Sequence, residues 1–260
     1  MRKYYLIILA VAAAAGTAAP QQRDRRLIDL TYSFSSQTIY WPTAEGFKLA
    51  VDAEGMTEKG YYYSAYSFSA AEHGGTHMDA PVHFARGMAT IDQIPLTRVV
   101  APGILVDVQK QAAADRDYQV TAQDLMEWEK SNGRIPDGCI LLLRTGWGKF
   151  YPDKIKYLGT DKKGPEGVSQ LHFPGLDPAA AGWLAANRKI SAIGIDTASI
   201  DYGQSKLFES HQALYKEGLF AIENVANLHE LPAKGFEIIA LPMKIQGGSG
   251  APVRIIAVMK

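Results

Sequence analysis

His73-Gly-Gly-Thr-His-Met-Asp-Ala-Pro-Val-His83 gathers three of the chain's six histidines and an aspartate into one short run. Neutral imidazole and carboxylate suit zinc, manganese or iron, and three or four such groups can hold an ion with one position left for water. His73 and His77 have the i, i+4 spacing of a shared helix face, but Gly74, Gly75 and Pro81 oppose a helix. Each glycine costs about 1 kcal/mol there and proline about 3. A turn feeding an extended segment is expected instead. His77, Asp79 and Pro81 then point to one side, the glycines let the backbone fold His73 back towards them, and His83 continues the alternation at the cluster's edge.

Outward from this run, β-branched or continuous apolar stretches predict strands at 27–33, 61–70, 103–108, 139–144, 190–195, 219–223, 236–241 and 253–259. Helical signals lie between some of them. Thr121 with Asp124 forms a capping box ahead of residues 125–130, and Gly133 stops that helix. Asp177-Pro178 opens a helix over 179–188. Ser210 is expected to cap a third helix over 211–217, with Gly218 as its stop. The fold class is therefore mixed α/β, with a mixed sheet in a single domain over residues 20–260. Residues 150–174 carry charge and glycine with little periodicity, and are expected to form an ordered surface loop or lid.

The first residues follow the secretory pattern: Arg2 and Lys3, an apolar run from Tyr4 to Ala15, then small residues to Ala19. Residues 1–19 are read as a signal peptide, with cleavage after Ala18, and the protein is expected to be exported to a periplasm or secreted. The apolar run is too short to span a bilayer, and no membrane association is expected once the signal is removed. Formal charge is zero over the full chain, and no basic stripe points to nucleic acid. Cys139 is the only cysteine. It heads the apolar run Cys-Ile-Leu-Leu-Leu, so a buried, inert thiol is expected rather than a nucleophile.

A metal site needs ligands from elsewhere in the chain. His211, at the start of a predicted helix, and Glu223, closing a short strand, stand at element ends, where active-site residues are commonly presented. Taken alone, His211 reads as a capping or surface histidine and Glu223 as a solvated acid, and their joint claim rests on the resemblance below. His172 and His229 read as surface residues. Ser249, among Gly247, Gly248 and Gly250, does not fit the nucleophile elbow, which needs glycine two residues after the serine. Gly146-Trp147-Gly148 fails the dinucleotide fingerprint, because Tyr151 stands at the third glycine position.

The run 73–83 matches every fixed position of His-x-Gly-Thr-His-x-Asp-x-Pro-x-His, and in this the chain resembles the metal-dependent cyclase or kynurenine formamidase family, which includes the isatin hydrolases. Trp41-Pro42, the run from Arg144 to Trp147, the run from Gly194 to Asp201, Glu223-Asn224 with Asn227-Leu228, and the stretches Leu241-Pro242 and Pro252 to Arg254 are similar too, so the resemblance spans nearly the whole mature chain. It implies a swivelling β/β/α fold, usually dimeric. It further implies that His73, His77 and Asp79 bind a first divalent ion, zinc or manganese, and that Asp79, His211 and Glu223 hold a second in members with two. His83 matches the proton-transfer position, and Trp41 would line a pocket for an aromatic substrate. The export signal and residues 150–174 depart from the short cytosolic formamidases and are closer to the isatin hydrolases.

The activity expected is hydrolysis of a small aryl amide, either an N-formylkynurenine-type formamide of tryptophan catabolism or an isatin-type lactam. Water activated by the metal would attack, with His83 as proton shuttle. The competing class is an exported, non-catalytic metal- or small-molecule-binding protein on the same scaffold. An open coordination position favours the enzyme, since a structural ion prefers a closed shell of four ligands.

Overall fold

The structure, a computed structural model, describes residues 25–259, so the expected signal peptide at 1–19 lies outside the described residues. In chain order the strands are β1 (Leu27–Asp29), β2 (Lys48–Met56), β3 (Tyr62–Ser69), β4 (His77–Asp79), β5 (Val100–Asp107), β6 (Gln119–Val120), β7 (Ile140–Arg144), β8 (Gly175–Leu176), β9 (Ala192–Ile195), β10 (Phe220–Glu223), β11 (Phe236–Pro242) and β12 (Gly250–Met259). The helices are α1 (Leu96–Val99), α2 (Gln109–Ala114), α3 (Ala122–Asn132), α4 (Lys154–Leu158), α5 (Gly164–Ser169), α6 (Pro178–Asn187) and α7 (Glu209–Tyr215).

The main sheet runs β1-β12-β11-β5-β7-β9-β10-β4, and β4 also pairs with β12, so the sheet closes into a barrel. Strands β5, β7, β9 and β10 run parallel, while β4, β11 and β12 run antiparallel to their neighbours. The expectation of a mixed α/β domain holds, and closure removes all but short sheet edges. Parallel strands buried on both faces read as unbroken apolar runs, which is why Ile140 to Leu143 do not alternate with polar residues. Ile140 and Leu142 pack inward with Leu105, Phe220 and Ile255. Leu141 and Leu143 pack outward against Leu125 of α3, Leu184 of α6 and Leu214 of α7. Each such side chain contributes about 1.5–3 kcal/mol on burial. Cys139 is buried in the same layer, and burial pushes its thiol up to about 12, as expected of an inert cysteine.

Several expectations need correction. The strand β2 gave no clear alternation in the sequence because a bulge between Val51 and Ala53 shifts the register against β3. Residues 150–174 are not a loop or lid. They carry α4 and α5, and Tyr157, Leu158, Leu171 and Phe173 are buried in a third core with Ile39 and Trp147. Ser210 does not cap α7. Phe208 holds that position at φ 52°, and the Ser210 hydroxyl donates to the Leu176 carbonyl at 2.7 Å. The free N–H groups of the helix's first turn are met instead by Asp201, which accepts from the Ser210 and His211 backbones, both at 3.1 Å. Finally, the extended segment stops at Asp79, and Pro81–His83 form a 3₁₀ turn, so His83 reaches the cluster by that turn rather than by continued alternation.

Candidate metal centre

Antiparallel pairing of β4 with β10 puts His77 opposite Glu223, and β4 carries Asp79 on the same side two residues on. His211 arrives from the first turn of α7. His73 is folded back by Gly74 and Gly75, and both glycines are required. A Cβ at Gly74 would stand 2.0 Å from the Tyr40 ring, and Gly75 has φ +55° with Phe34 and Thr38 against it. His77, Asp79 and Glu223 thus offer ligand atoms within 4.8 Å of one another, as do His73, Asp79 and His83. His211 Nε2 lies 3.1 Å from Glu223 Oε1 and 3.4 Å from Asp79 Oδ2. All the residues expected at the site, from His73 to Glu223, therefore converge, and Trp41 lines the cavity above them.

The site is densely charged and buried. Asp79, Glu223, Asp201, His77 and His211 are all at most 4 % exposed. Burial works against a charged His77, yet the close approach and negative charge of Asp79, with the charge of Glu223, outweigh it and raise the imidazole to about 9. His211 is raised in the same way against its burial by Asp201, Asp79 and Glu223. Burial would raise Asp79, but the charge of His73 and the close approach of the His211, His73 and His77 ring nitrogens hold it well below the usual carboxylate range. His83 is pushed down to about 4 by partial burial and by the imidazoles of His73, His211 and His77, although Asp79 opposes the shift. Closely packed buried carboxylates demand positive charge, which protons or a metal cation can provide.

One atom separates these two possibilities. His77 Nε2 is buried and has no hydrogen-bond partner, although Asp79 Oδ1 is 3.1 Å away and Glu223 Oε2 3.4 Å away, because neither is in line with it. A lone pair aimed between two carboxylates suits a ligand to a shared cation. The far ring nitrogens are held too: His77 Nδ1 by the Gly75 carbonyl at 3.0 Å, and His211 Nδ1 by Asp201 at 2.5 Å. Such outer contacts fix ring orientation and tautomer around metals. Glu223 Oε1 accepts from the Ile200 N–H at 2.8 Å, and the Tyr215 hydroxyl donates to Asp79 Oδ2 at 2.8 Å. The donor set fits a divalent cation.

Above the donors lies a cavity of about 310 Å³, walled by Ile39, Trp41, Phe84 and Phe208. The Trp41 ring meets Phe173 edge-on at 6.4 Å and Phe208 at 5.9 Å. An aromatic enclosure over a polar floor is the usual form of a small-molecule site. His83 stands at the cavity wall, its ring stacked on His73 at 3.8 Å and part of its surface open to solvent.

Sequence reasoning missed Asp201, Tyr215, Phe84 and Phe208, none of which carries a local signal. Asp201 stood within a stretch singled out only for its resemblance. The expected surface histidines do lie away from the site: His172 pairs with Asp117 at 2.6 Å, and His229 is exposed.

The model of the family described as "Putative cyclase" matches residues 28–202. An isatin hydrolase from Roseibium aggregatum is 36% identical over 196 residues, 72% of each chain. A kynurenine formamidase from Salinibacter ruber is 29% identical over 230 residues, covering 88% of this chain and 96% of its own. The solved structure of isatin hydrolase A from Ralstonia solanacearum superposes with a TM-score of 0.82 at 30% identity, over 91% of this chain and 92% of that one.

Proposed function

The chain belongs to the cyclase family, and on that premise we propose that it is a metal-dependent hydrolase of a small aryl amide. The orphaned Nε2 of His77, set between Asp79 and Glu223 on the floor of an aromatic cavity, carries this reading. His73, His77 and Asp79 would hold one divalent ion, zinc or manganese, and Asp79, His211 and Glu223 a second. A divalent cation bound there lowers the pKa of its water from about 15.7 to about 7 and so supplies a nucleophile at neutral pH.

The chain's own residues do the rest. Trp41, Phe84 and Phe208 clamp the aromatic ring and exclude solvent from the amide. Water adds to the carbonyl carbon, the C–N bond breaks, and the aryl nitrogen leaves with a proton. His83 takes that proton from the attacking water and returns it to the nitrogen, a transfer that typically contributes 10² to 10⁴-fold. An isatin-type lactam is the first substrate to test, because the aligned isatin hydrolase has the higher identity and an N-formylkynurenine-type formamide is the alternative. The basic, apolar and small-residue pattern of residues 1–19 supports hydrolysis outside the cytoplasm.

A homodimer is part of the same proposal. Strands β2 and β3 form a separate two-stranded arm. Cross-strand pairing puts Leu49 with Phe68, Val51 with Tyr66 and Met56 with Tyr62, and the bulge at Asp52 brings all of them to one face. Every one of these side chains is exposed. A lone hairpin is marginal in water, so this face calls for cover, and a second copy offers the same apolar face in a two-fold arrangement.

The test assays isatin and N-formylkynurenine side by side, with chelator-stripped protein and after reloading with zinc or manganese. Turnover of either substrate, lost on stripping and regained on reloading, is expected. Retained metal with neither substrate turned over would favour the non-catalytic carrier.

A further inference from the structure

Outside the ligand set stands Ser249, in the run Gly247-Gly248-Ser249-Gly250. Its hydroxyl lies 2.7 Å from Glu72 Oε2 and 2.9 Å from His73 Nε2, and its backbone N–H donates to the same Glu72 oxygen at 3.0 Å. The direction of this chain follows from the inventory of protons. A carboxylate only accepts, so the Ser249 proton goes to Glu72, the hydroxyl offers His73 a lone pair, and His73 Nε2 must carry the hydrogen. In the neutral ring Nδ1 is then bare. It lies 2.7 Å from Asp79 Oδ1, a contact that a proton on Nδ1 satisfies in the metal-free imidazolium and that a metal cation satisfies in its place once bound.

The flanking glycines are explained by the same contact. A Cβ at Gly248 would stand 2.7 Å from Glu72 Oε1, and one at Gly250 would stand 2.5 Å from His73 Cε1. Any side chain at either position would displace the carboxylate or the imidazole.

We propose that Glu72 and Ser249 are positioning residues that lock His73 as its Nε2–H tautomer and so select Nδ1 as the metal-binding nitrogen. This rests on the reading of the site as a metal centre. Loss of a hydrogen-bond partner of this kind typically costs 10 to 100-fold in metal affinity. Neither residue touches the cavity.

The experiment uses the full chain with zinc as a diamagnetic probe. In ¹⁵N-labelled, zinc-loaded protein, long-range ¹H–¹⁵N correlation should find hydrogen on His73 Nε2 and none on Nδ1, and the reverse assignment would overturn the proposal. Zinc affinity, read by chelator competition, should fall 10 to 100-fold in Ser249→Ala and in Glu72→Ala, and recover in Ser249→Thr, which keeps the hydroxyl. Unchanged affinity in Ser249→Ala with zinc still bound by the wild type would also overturn it. Failure of the wild type to bind zinc at all would instead sink the metal reading beneath it.

Discussion

The floor of the cavity and the β2–β3 arm break the usual partition of side chains in opposite directions. On the floor, Asp79, Glu223, Asp201, His77 and His211 are buried where apolar groups would be cheaper. On the arm, Val51, Tyr62, Tyr66 and Phe68 face solvent where polar groups would be. A cluster of buried charge lacks something inside it, and an exposed apolar face lacks something outside it. The contrast separates two needs: compensating positive charge inside the first region and, in the dimer proposed above, a second copy of the chain against the apolar face of the other.

Removing the cation attacks the first half of that contrast. Chelation should lower amide turnover by about 10³-fold or more, because free water at neutral pH is too weak a nucleophile, and dialysis back into zinc or manganese should restore it. Full activity after stripping would leave the buried charge without its purpose. His83→Ala should lower kcat by about 10² to 10⁴-fold. Metal content should stay at the wild-type level, and its loss would make His83 a ligand.

The second half is tested on the arm. Tyr66→Glu with Phe68→Glu should weaken self-association by about 10²-fold or more, since each buried aromatic contributes about 1.5–3 kcal/mol. Sedimentation equilibrium reads this directly. A wild type that stays monomeric at micromolar concentration would contradict the proposed dimer. The smallest effect is expected at the cavity wall, where Trp41→Ala should raise KM about 10-fold with kcat little changed, because an aromatic contact is lost without touching the reacting atoms.

Much of the site was legible because its chemistry is local. His73, His77, Asp79 and His83 are close in the chain, and glycine and proline among them excluded a helix. His211 and Glu223 stand at element ends but alone read as a capping or surface histidine and a solvated acid, and only the resemblance tied them to the metal. What escaped depends on contacts between distant residues. Asp201 looks like any loop acid until α7 folds its first turn against it. Asp196 is similar. It accepts from Thr145 N at 2.9 Å, Thr145 Oγ1 at 2.6 Å and Gly146 N at 2.9 Å, so the resemblance at Arg144 to Trp147 marks a structural knot and not a catalytic group. The strand β2 was hidden by its bulge, and α4 and α5 by short length and irregular apolar spacing. Barrel closure rests on β4 pairing with β12, and no local pattern announces a contact so far apart in the chain.

Whether the buried carboxylates and imidazoles hold a cation is read from the metal-to-protein ratio of the purified chain after equilibrium dialysis against zinc or manganese, compared with that of Asp79→Asn. One or two ions per wild-type chain are expected, with loss of binding in the variant, whose fold should persist. A wild type that retains no ion, or a variant that binds as the wild type does, would contradict this.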